Sequence, residues 1–353
     1  GPASGVKPAG RKAGFCSAAT FDHNILQKKG DAEETTSSPP HAMTDSRLRI
    51  VFMGTPDFAA KILRAVAAWE GGEVLAAYAQ PDRPAGRGRR LREPDVKVTA
   101  RELGIPVLQP PNFREQADRA ALAALKPDVL VVAAYGLILP QAVLDIPAYG
   151  AFNVHASLLP RHRGAAPINW AIIQGDAVTG VTTMLTDAGV DTGAMLLSRE
   201  TPIGAEETAG ELTERLSLLG AQLLVETLGA LNTLAPTPQD EARMTYDPML
   251  DKAMGEIDFG RGAREIVNLV RGVNPWPGAR AGALKVWRAA AAEGAGAPGT
   301  VLAADAKRGL VVACADGAVE LKEIQAPGGK RMDARAYLLG KRIPVGERLE
   351  IHG

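Results

Sequence analysis

Leu48-Arg49-Ile50-Val51-Phe52-Met53 runs into Gly54-Thr55-Pro56-Asp57 and then into Phe58-Ala59-Ala60-Lys61-Ile62-Leu63. The first six residues form a short apolar run of strand length, the next four are turn residues, and the last six take the apolar spacing of a helix. The stretch therefore predicts strand, turn, helix. Similar apolar runs recur at Val74 to Ala79, Asp128 to Ala134 and Ala151 to Val154, with helical stretches such as Ala117 to Leu125 between them. Near-continuous apolar strands alternating with helices are buried on both faces. This predicts an α/β fold: a Rossmann-like, mostly parallel sheet with helices on both faces. In such sheets ligands sit outside the carboxyl ends of the strands. Gly54-Thr55-Pro56-Asp57 reads as structure rather than as a phosphate cradle. One glycine, with neither a three-glycine fingerprint nor a Walker lysine, leaves Pro56 as a residue that starts a helix.

Downstream, Met195 to Arg199 reads as one more strand. Thr208 to Ala235 reads as a long amphipathic helix with Leu212, Leu216, Leu219, Leu223 and Leu231 on its buried stripe. Pro236, Pro238 and Pro248 give residues 236–251 the character of a linker. Beyond them a helical piece around Ala263 to Val273 precedes short strands at Lys285 to Arg288, Gly309 to Ala313 and Ala318 to Glu323. The expected organisation is a disordered or non-native N-terminal extension over 1–46, a catalytic domain over 47–235, a linker over 236–251 and a C-terminal OB-like β-barrel domain over 252–353. Within the extension, Gly1-Pro2 fits the remnant of a protease cleavage and Met43 a natural start of translation, and a transit peptide is the alternative, since the first thirty residues are basic and contain Ser.

Asn153-Val154-His155 lies at the end of one expected strand, and Asp187-Ala188-Gly189-Val190-Asp191-Thr192-Gly193 follows it. Strand side chains repeat every second residue, so Asn153 and His155 point the same way. Polar residues at strand ends often serve loop geometry alone. An amide, an imidazole and a carboxylate together, however, make a kit for attack on a carbonyl carbon. When an amine attacks a formyl or acyl group, negative charge grows on the oxygen, where Asn153 and a protonated His155 can donate hydrogen bonds. Asp191 can hold the imidazolium and help take up the amine proton. Each such group typically contributes on the order of 10²-fold to 10³-fold.

Pro81 to Arg92 carries five arginines against Asp82. A basic, glycine-punctuated loop beside the carboxyl edge of the sheet suits a phosphate backbone, and residues 252–353 add sixteen Lys and Arg against eleven Asp and Glu. The apolar content of 46% supplies cores for two domains, and no apolar run approaches the roughly 20 residues that cross a bilayer. Cys16 and Cys314 are the only cysteines, and of the five histidines only His155 and His162 are close. The cysteine and histidine usage thus predicts a reducing, cytoplasmic setting, no disulfide framework and no metal; no membrane span is expected, and the lack of an extra exposed apolar segment favours a monomer.

Several ordered motifs resemble the methionyl-tRNA formyltransferase family. They are Phe52 to Ala59, Gln80 to Gly88, Ala134 to Pro140, Asn153 to Pro160, Arg163 to Ile168, Asp187 to Gly193 and Asn274-Pro275-Trp276-Pro277-Gly278. The resemblance implies transfer of a formyl group from 10-formyltetrahydrofolate, as co-substrate, to the α-amine of methionine on initiator tRNA. It implies Asn153, His155 and Asp191 as catalytic residues. Ser157, Leu158, Leu159 and Pro160 match a folate-binding stretch, and Tyr135, Gly136, Leu137, Ile138, Asp187 and Val190 would shape the pterin slot. Arg87, Gly88, Arg89 and Arg90 match an inserted loop that contacts the acceptor end of tRNA, and the C-terminal barrel is similar to the family's second tRNA-binding domain. Related enzymes that formylate amino sugars or a purine ribonucleotide precursor generally lack the Arg-rich insertion, and a hydrolase passing the formyl group to water would not need it. The chain departs from the family in one segment. Tyr246-Asp247-Pro248-Met249-Leu250 stands where the family often has Tyr-Ala-x-Lys-Leu, which leaves Lys252 as the nearest lysine for a tRNA phosphate. His162 is assigned no role.

Arg87→Ala is expected to raise KM for tRNA and to lower the salt slope of binding by about one, as loss of one phosphate contact requires. Titration at several salt concentrations measures it, and an unchanged slope removes Arg87 from the contact.

Overall fold

The computed structural model describes residues 47–85 and 90–349. Its first elements are β1 (Leu48–Gly54), α1 (Asp57–Ala68) and β2 (Gly72–Tyr78), followed by a short hairpin of β3 (Arg83–Ala85) and β4 (Arg90–Arg92). Next come α2 (Asp95–Glu102), β5 (Val107–Leu108), α3 (Gln116–Ala124), β6 (Val129–Ala133), α4 (Gln141–Leu144) and β7 (Ala151–His155). Then follow β8 (Arg163–Gly164), α5 (Pro167–Ile173), β9 (Val178–Leu185), β10 (Met195–Pro202) and α6 (Ala209–Gly229).

Seven of these strands form one sheet in the order β10-β9-β7-β6-β1-β2-β5. β1 pairs in parallel with β2 and β6, and the parallel ladder extends to β5 and β7. β9 runs antiparallel to both β7 and β10. The mostly parallel sheet expected from the sequence is present, with an antiparallel edge. β1 shows why its sequence is apolar throughout. Ile50 and Phe52 pack into the core on one face, and Val51 and Met53 into the core on the other. Burying each such side chain contributes about 1.5–3 kcal/mol.

Helix α6 starts where expected, because Thr208 and Glu211 form a reciprocal capping box. It ends at Gly229, earlier than the apolar stripe indicates. Gly229 is a poor helix former, and the chain leaves through a turn in which the Thr233 N–H reaches the Ala230 carbonyl at 2.8 Å. Leu231 still reaches the core from that turn.

Residues 236–251 do more than span a gap. Thr237 bridges Met195, and β11 (Tyr246–Asp247) pairs in parallel with β8. Beyond them lie α7 (Ala263–Gly272), β12 (Ala279–Ala281), β13 (Leu284–Ala292), β14 (Val301–Asp305), β15 (Gly309–Cys314), β16 (Gly317–Gln325), β17 (Met332–Asp333) and α8 (Ala334–Gly340). The strands form an antiparallel sheet in the order β12-β13-β16-β15-β14, with β17 also on β16, around an apolar core of its own. β13 runs four alanines past the expected strand. Those alanines have little strand preference, but β16 pairs with each of them. Helix α7 packs on this sheet and also meets α5: the Asn169 side chain donates to the Gly272 carbonyl at 2.7 Å. A Cβ at Gly272 would collide with Ile173, so glycine sets the approach of the two helices. Among the described residues no helix is long and apolar enough to cross a membrane.

Leu224→Ala empties a fully buried position of α6, and urea unfolding is expected to show a loss of about 2–5 kcal/mol. A loss below 1 kcal/mol would mean the helix is not clamped to the sheet.

Candidate active site

Asn153 and His155 occupy alternate positions at the carboxyl end of β7, so both side chains leave the sheet on one face. The loop between β9 and β10 brings Asp191 to them with φ of 54°, a left-handed conformation that Asp adopts more readily than most residues. One carboxylate oxygen of Asp191 accepts from Asn153 Nδ2 at 3.4 Å and lies 3.5 Å from His155 Nδ1. The other accepts the Gly164 N–H at 2.9 Å. His155 Nε2 lies 2.7 Å from the His162 carbonyl oxygen. A carbonyl only accepts, so Nε2 carries the hydrogen and Nδ1 is the nitrogen turned toward Asp191.

These three residues face a cleft of about 680 Å³, within the range of small-molecule sites. Tyr135, Gly136, Leu137, Ile138, Asp187 and Val190 line the same cleft. Its wall after β6 is pinned from below. Thr55 Oγ1 and Gln80 Nε2 each donate to the Tyr135 carbonyl at 2.9 Å. This is the part played by the Gly54-Thr55 turn. Gly136, with φ of 77°, leaves the space that Gln80 fills. The opposite wall is self-braced, because Asp187 accepts from the Gly189 N–H at 3.0 Å and from Thr192 Oγ1 at 2.6 Å. Burial, with Asp118 adding, pushes the Tyr78 hydroxyl up to about 12, and burial pushes Tyr135 up as well. Both phenols therefore keep their protons near neutrality and cannot act as bases there.

Ser157, Leu158, Leu159 and Pro160 do not line the cleft. Ser157 is fully buried, donates through Oγ to the Arg161 carbonyl at 2.7 Å and accepts at its own carbonyl from Thr182 Oγ1 at 2.7 Å. The Leu159 N–H reaches the same Thr182 oxygen at 3.3 Å. The stretch is tied back onto β9 and supports the turn that leads away from His155.

Arg87, Gly88 and Arg89 lie outside the described residues. Arg90 begins β4, opposite Ala85. Asp82, the acid of this segment, is occupied: Gln109 donates to it at 2.7 Å and Lys97 at 2.8 Å, and both hold its carboxyl below the usual range. Lys252 is exposed just before the short turn Ala253–Gly255.

The residues that sequence reasoning missed lie in 236–251. Gln239 Nε2 donates to the carbonyls of Asp191 and Gly193, each at 2.8 Å, while its Oε1 accepts from Arg163 Nε at 3.0 Å. Arg163, almost fully buried, also makes a two-pronged pair with Glu241 at 2.7 and 3.2 Å. Trp170 Nε1 donates to the Pro248 carbonyl at 2.9 Å. The polar character of Gln239, Glu241 and Asp247 amid prolines was the available signal.

A formyl transferase family model matches residues 48–228, and a model for the formyl transferase C-terminal domain matches residues 249–342. The chain belongs to the formyl transferase family. Among relatives, a protein of Citrifermentans bemidjiense named methionyl-tRNA formyltransferase is 50% identical over 305 residues, covering 85% of this chain and 95% of that one. One of the same name from Ectopseudomonas mendocina is 53% identical over 294 residues, covering 82% and 93%. Among solved structures, an N-formyltransferase from Helicobacter canadensis in complex with folinic acid and dTDP-3-aminofucose aligns with a TM-score of 0.58 at 16% identity, covering 77% of this chain and 98% of that one. HypX from Aquifex aeolicus in complex with tetrahydrofolic acid aligns at 0.53 and 19% identity, covering 84% of this chain and 47% of that one. At these identities the structures establish the shared formyl transferase fold.

Gln239→Ala leaves two loop carbonyls without a donor. Hydrogen exchange at the Gly164 amide, which rests on Asp191, is expected to accelerate by about tenfold or more, with a stability loss of about 1–2 kcal/mol. Unchanged exchange would show that the loop does not depend on Gln239.

Proposed function

We propose that the chain transfers the formyl group of 10-formyltetrahydrofolate to the α-amino group of methionine on initiator tRNA. One observation carries the chemistry. Asn153, His155 and Asp191 converge on one cleft, and none of the described residues lining it is a serine, cysteine or lysine. Such a site fits direct attack by an amine on the formyl carbon.

In this reading the pterin enters the apolar cleft beside Tyr135, Gly136, Leu137 and Ile138, with Asp187 and Val190 opposite. The amine nitrogen bonds to the formyl carbon, and the carbonyl electron pair moves onto oxygen. The Asn153 amide and the protonated Nδ1 of His155 stabilise that charge. Asp191 receives the amine proton, directly or through water. Collapse of the tetrahedral centre breaks the carbon–N10 bond, and N10 takes up a proton, so the acid and base return to their starting states. Ser157, Leu158, Leu159 and Pro160, just after the strand that carries His155, are the proposed folate-binding stretch. The boundaries 47–235, 236–251 and 252–353 divide donor chemistry, bracing and acceptor binding.

For the acceptor, the relatives' name is supported by the basic hairpin segment and the positive excess of residues 252–353. Arg87, Gly88, Arg89, Arg90 and Lys252 are the proposed phosphate contacts. A cytoplasmic, monomeric enzyme fits this role in translation initiation.

His155→Ala and Asp191→Ala are each expected to lower kcat by on the order of 10²-fold to 10⁴-fold with unchanged circular dichroism. Near-normal turnover of either variant would remove it from the mechanism. The wild-type protein, given 10-formyltetrahydrofolate with methionyl initiator tRNA, an amino-sugar nucleotide or water alone, should release folate product rapidly only with the tRNA. Equal turnover with either alternative would reassign the acceptor.

A further inference from the structure

His162 follows the catalytic strand with φ of 59°, in a region that a non-glycine residue occupies only when its surroundings enforce it. Its surroundings do so at four points. The His162 N–H donates to Thr245 Oγ1 at 2.7 Å, Nδ1 meets Asp247 Oδ2 at 2.7 Å, and Nε2 meets Asp176 Oδ2 at 2.8 Å. The fourth is its carbonyl, which accepts from His155 Nε2 at 2.7 Å. His162 is 3% exposed and Asp247 1%. Carboxylate oxygens only accept, so both ring nitrogens carry hydrogen and the ring is an imidazolium. Arg161 shares Asp176 at 3.1 Å, so two cations face two carboxylates and the cluster is balanced.

We propose that His162 is a positioning residue: clasped by Asp247 to the 236–251 segment, it presents its carbonyl to His155 Nε2–H and so commits Nδ1 of His155 to face Asp191 and the formyl carbon. The proposal rests on the formyl-transfer reading of the same site. The clasp is made by this chain's own His162, Asp247 and Asp176. Without it the left-handed turn at His162 has lost its main anchor, and His155 is free to adopt the other tautomer or swing.

The clasp depends on pH. Burial by itself disfavours the imidazolium, but the hydrogen bonds to Asp247 and Asp176 outweigh it and raise the His162 pKa above 6.5. A raised folded value means that the contribution is fully present below about 6.5 and is lost as pH climbs through the higher folded value. Asp247→Asn keeps an acceptor for Nδ1–H and removes one charge. The alkaline fall of kcat is then expected to move to lower pH by about one unit or more.

The test pairs kinetics with a direct view of the ring. In Asp247→Ala, kcat should fall about tenfold while KM for folate and for tRNA stays within about twofold, because His155 is misdirected and neither binding surface is touched. The ¹⁵N spectrum of the ligand-free wild-type protein should show neutral His155 as the Nε2–H tautomer, and Asp247→Asn should show mixed tautomers above its own alkaline limb. If Asp247→Ala does not fold, Asp247→Asn decides on both readouts. Wild-type alkaline behaviour and an unchanged His155 tautomer in Asp247→Asn would overturn the proposal. Wild-type failure to formylate any amine would overturn the functional reading instead, and the ring spectrum would still decide the clasp.

Discussion

The Asp191 carboxylate accepts the Gly164 N–H with one oxygen and meets Asn153 Nδ2 and His155 Nδ1 with the other. Three separate parts of the chain, the end of β7, the end of β8 and the loop after β9, thereby share one anion. The fold exists to bring them there. β7 holds two of the polar groups because its other side chains fill the core, and the antiparallel pairing of β9 on β7 returns the chain close enough for a short loop to deliver Asp191. That loop is held in turn by Gln239, and the turn after His155 by His162 and Thr182. Preorganised dipoles cost no reorganisation when charge develops, so in the proposed mechanism stabilising power resides in this bracing as much as in the three side chains.

Periodicity revealed the sheet, because Ile50, Val51, Phe52 and Met53 are buried on both faces and their sequence can only be apolar. Two-residue spacing revealed that Asn153 and His155 share a face, and this needed no tertiary information. The end of α6 was not legible, since Leu231 keeps helical spacing from a turn that has ceased to be helix. Nor was the strand Ala289–Ala292, whose only reason to be extended is its partner β16.

The segment 236–251 reads as a spacer because prolines dominate its composition. Its contacts, however, are made singly by Gln239, Glu241, Thr245 and Asp247 to residues 46 to 85 positions away. No local pattern encodes such pairings. The ties of Ser157 and Leu159 to Thr182 on β9 are likewise tertiary, and the motif alone does not announce them.

The proposed reaction is direct transfer: at a cleft with an amide, an imidazole and a carboxylate, and no serine, cysteine or lysine among the described residues that line it, the acceptor amine attacks the formyl carbon without loading the enzyme. The most direct test uses 10-formyltetrahydrofolate labelled with ¹⁴C in the formyl carbon, mixed with enzyme in the absence of acceptor and quenched over time, alongside initial rates with both substrates varied. The account predicts no label on protein at any time and intersecting double-reciprocal lines. Label retained on the denatured chain, with parallel lines, would contradict it.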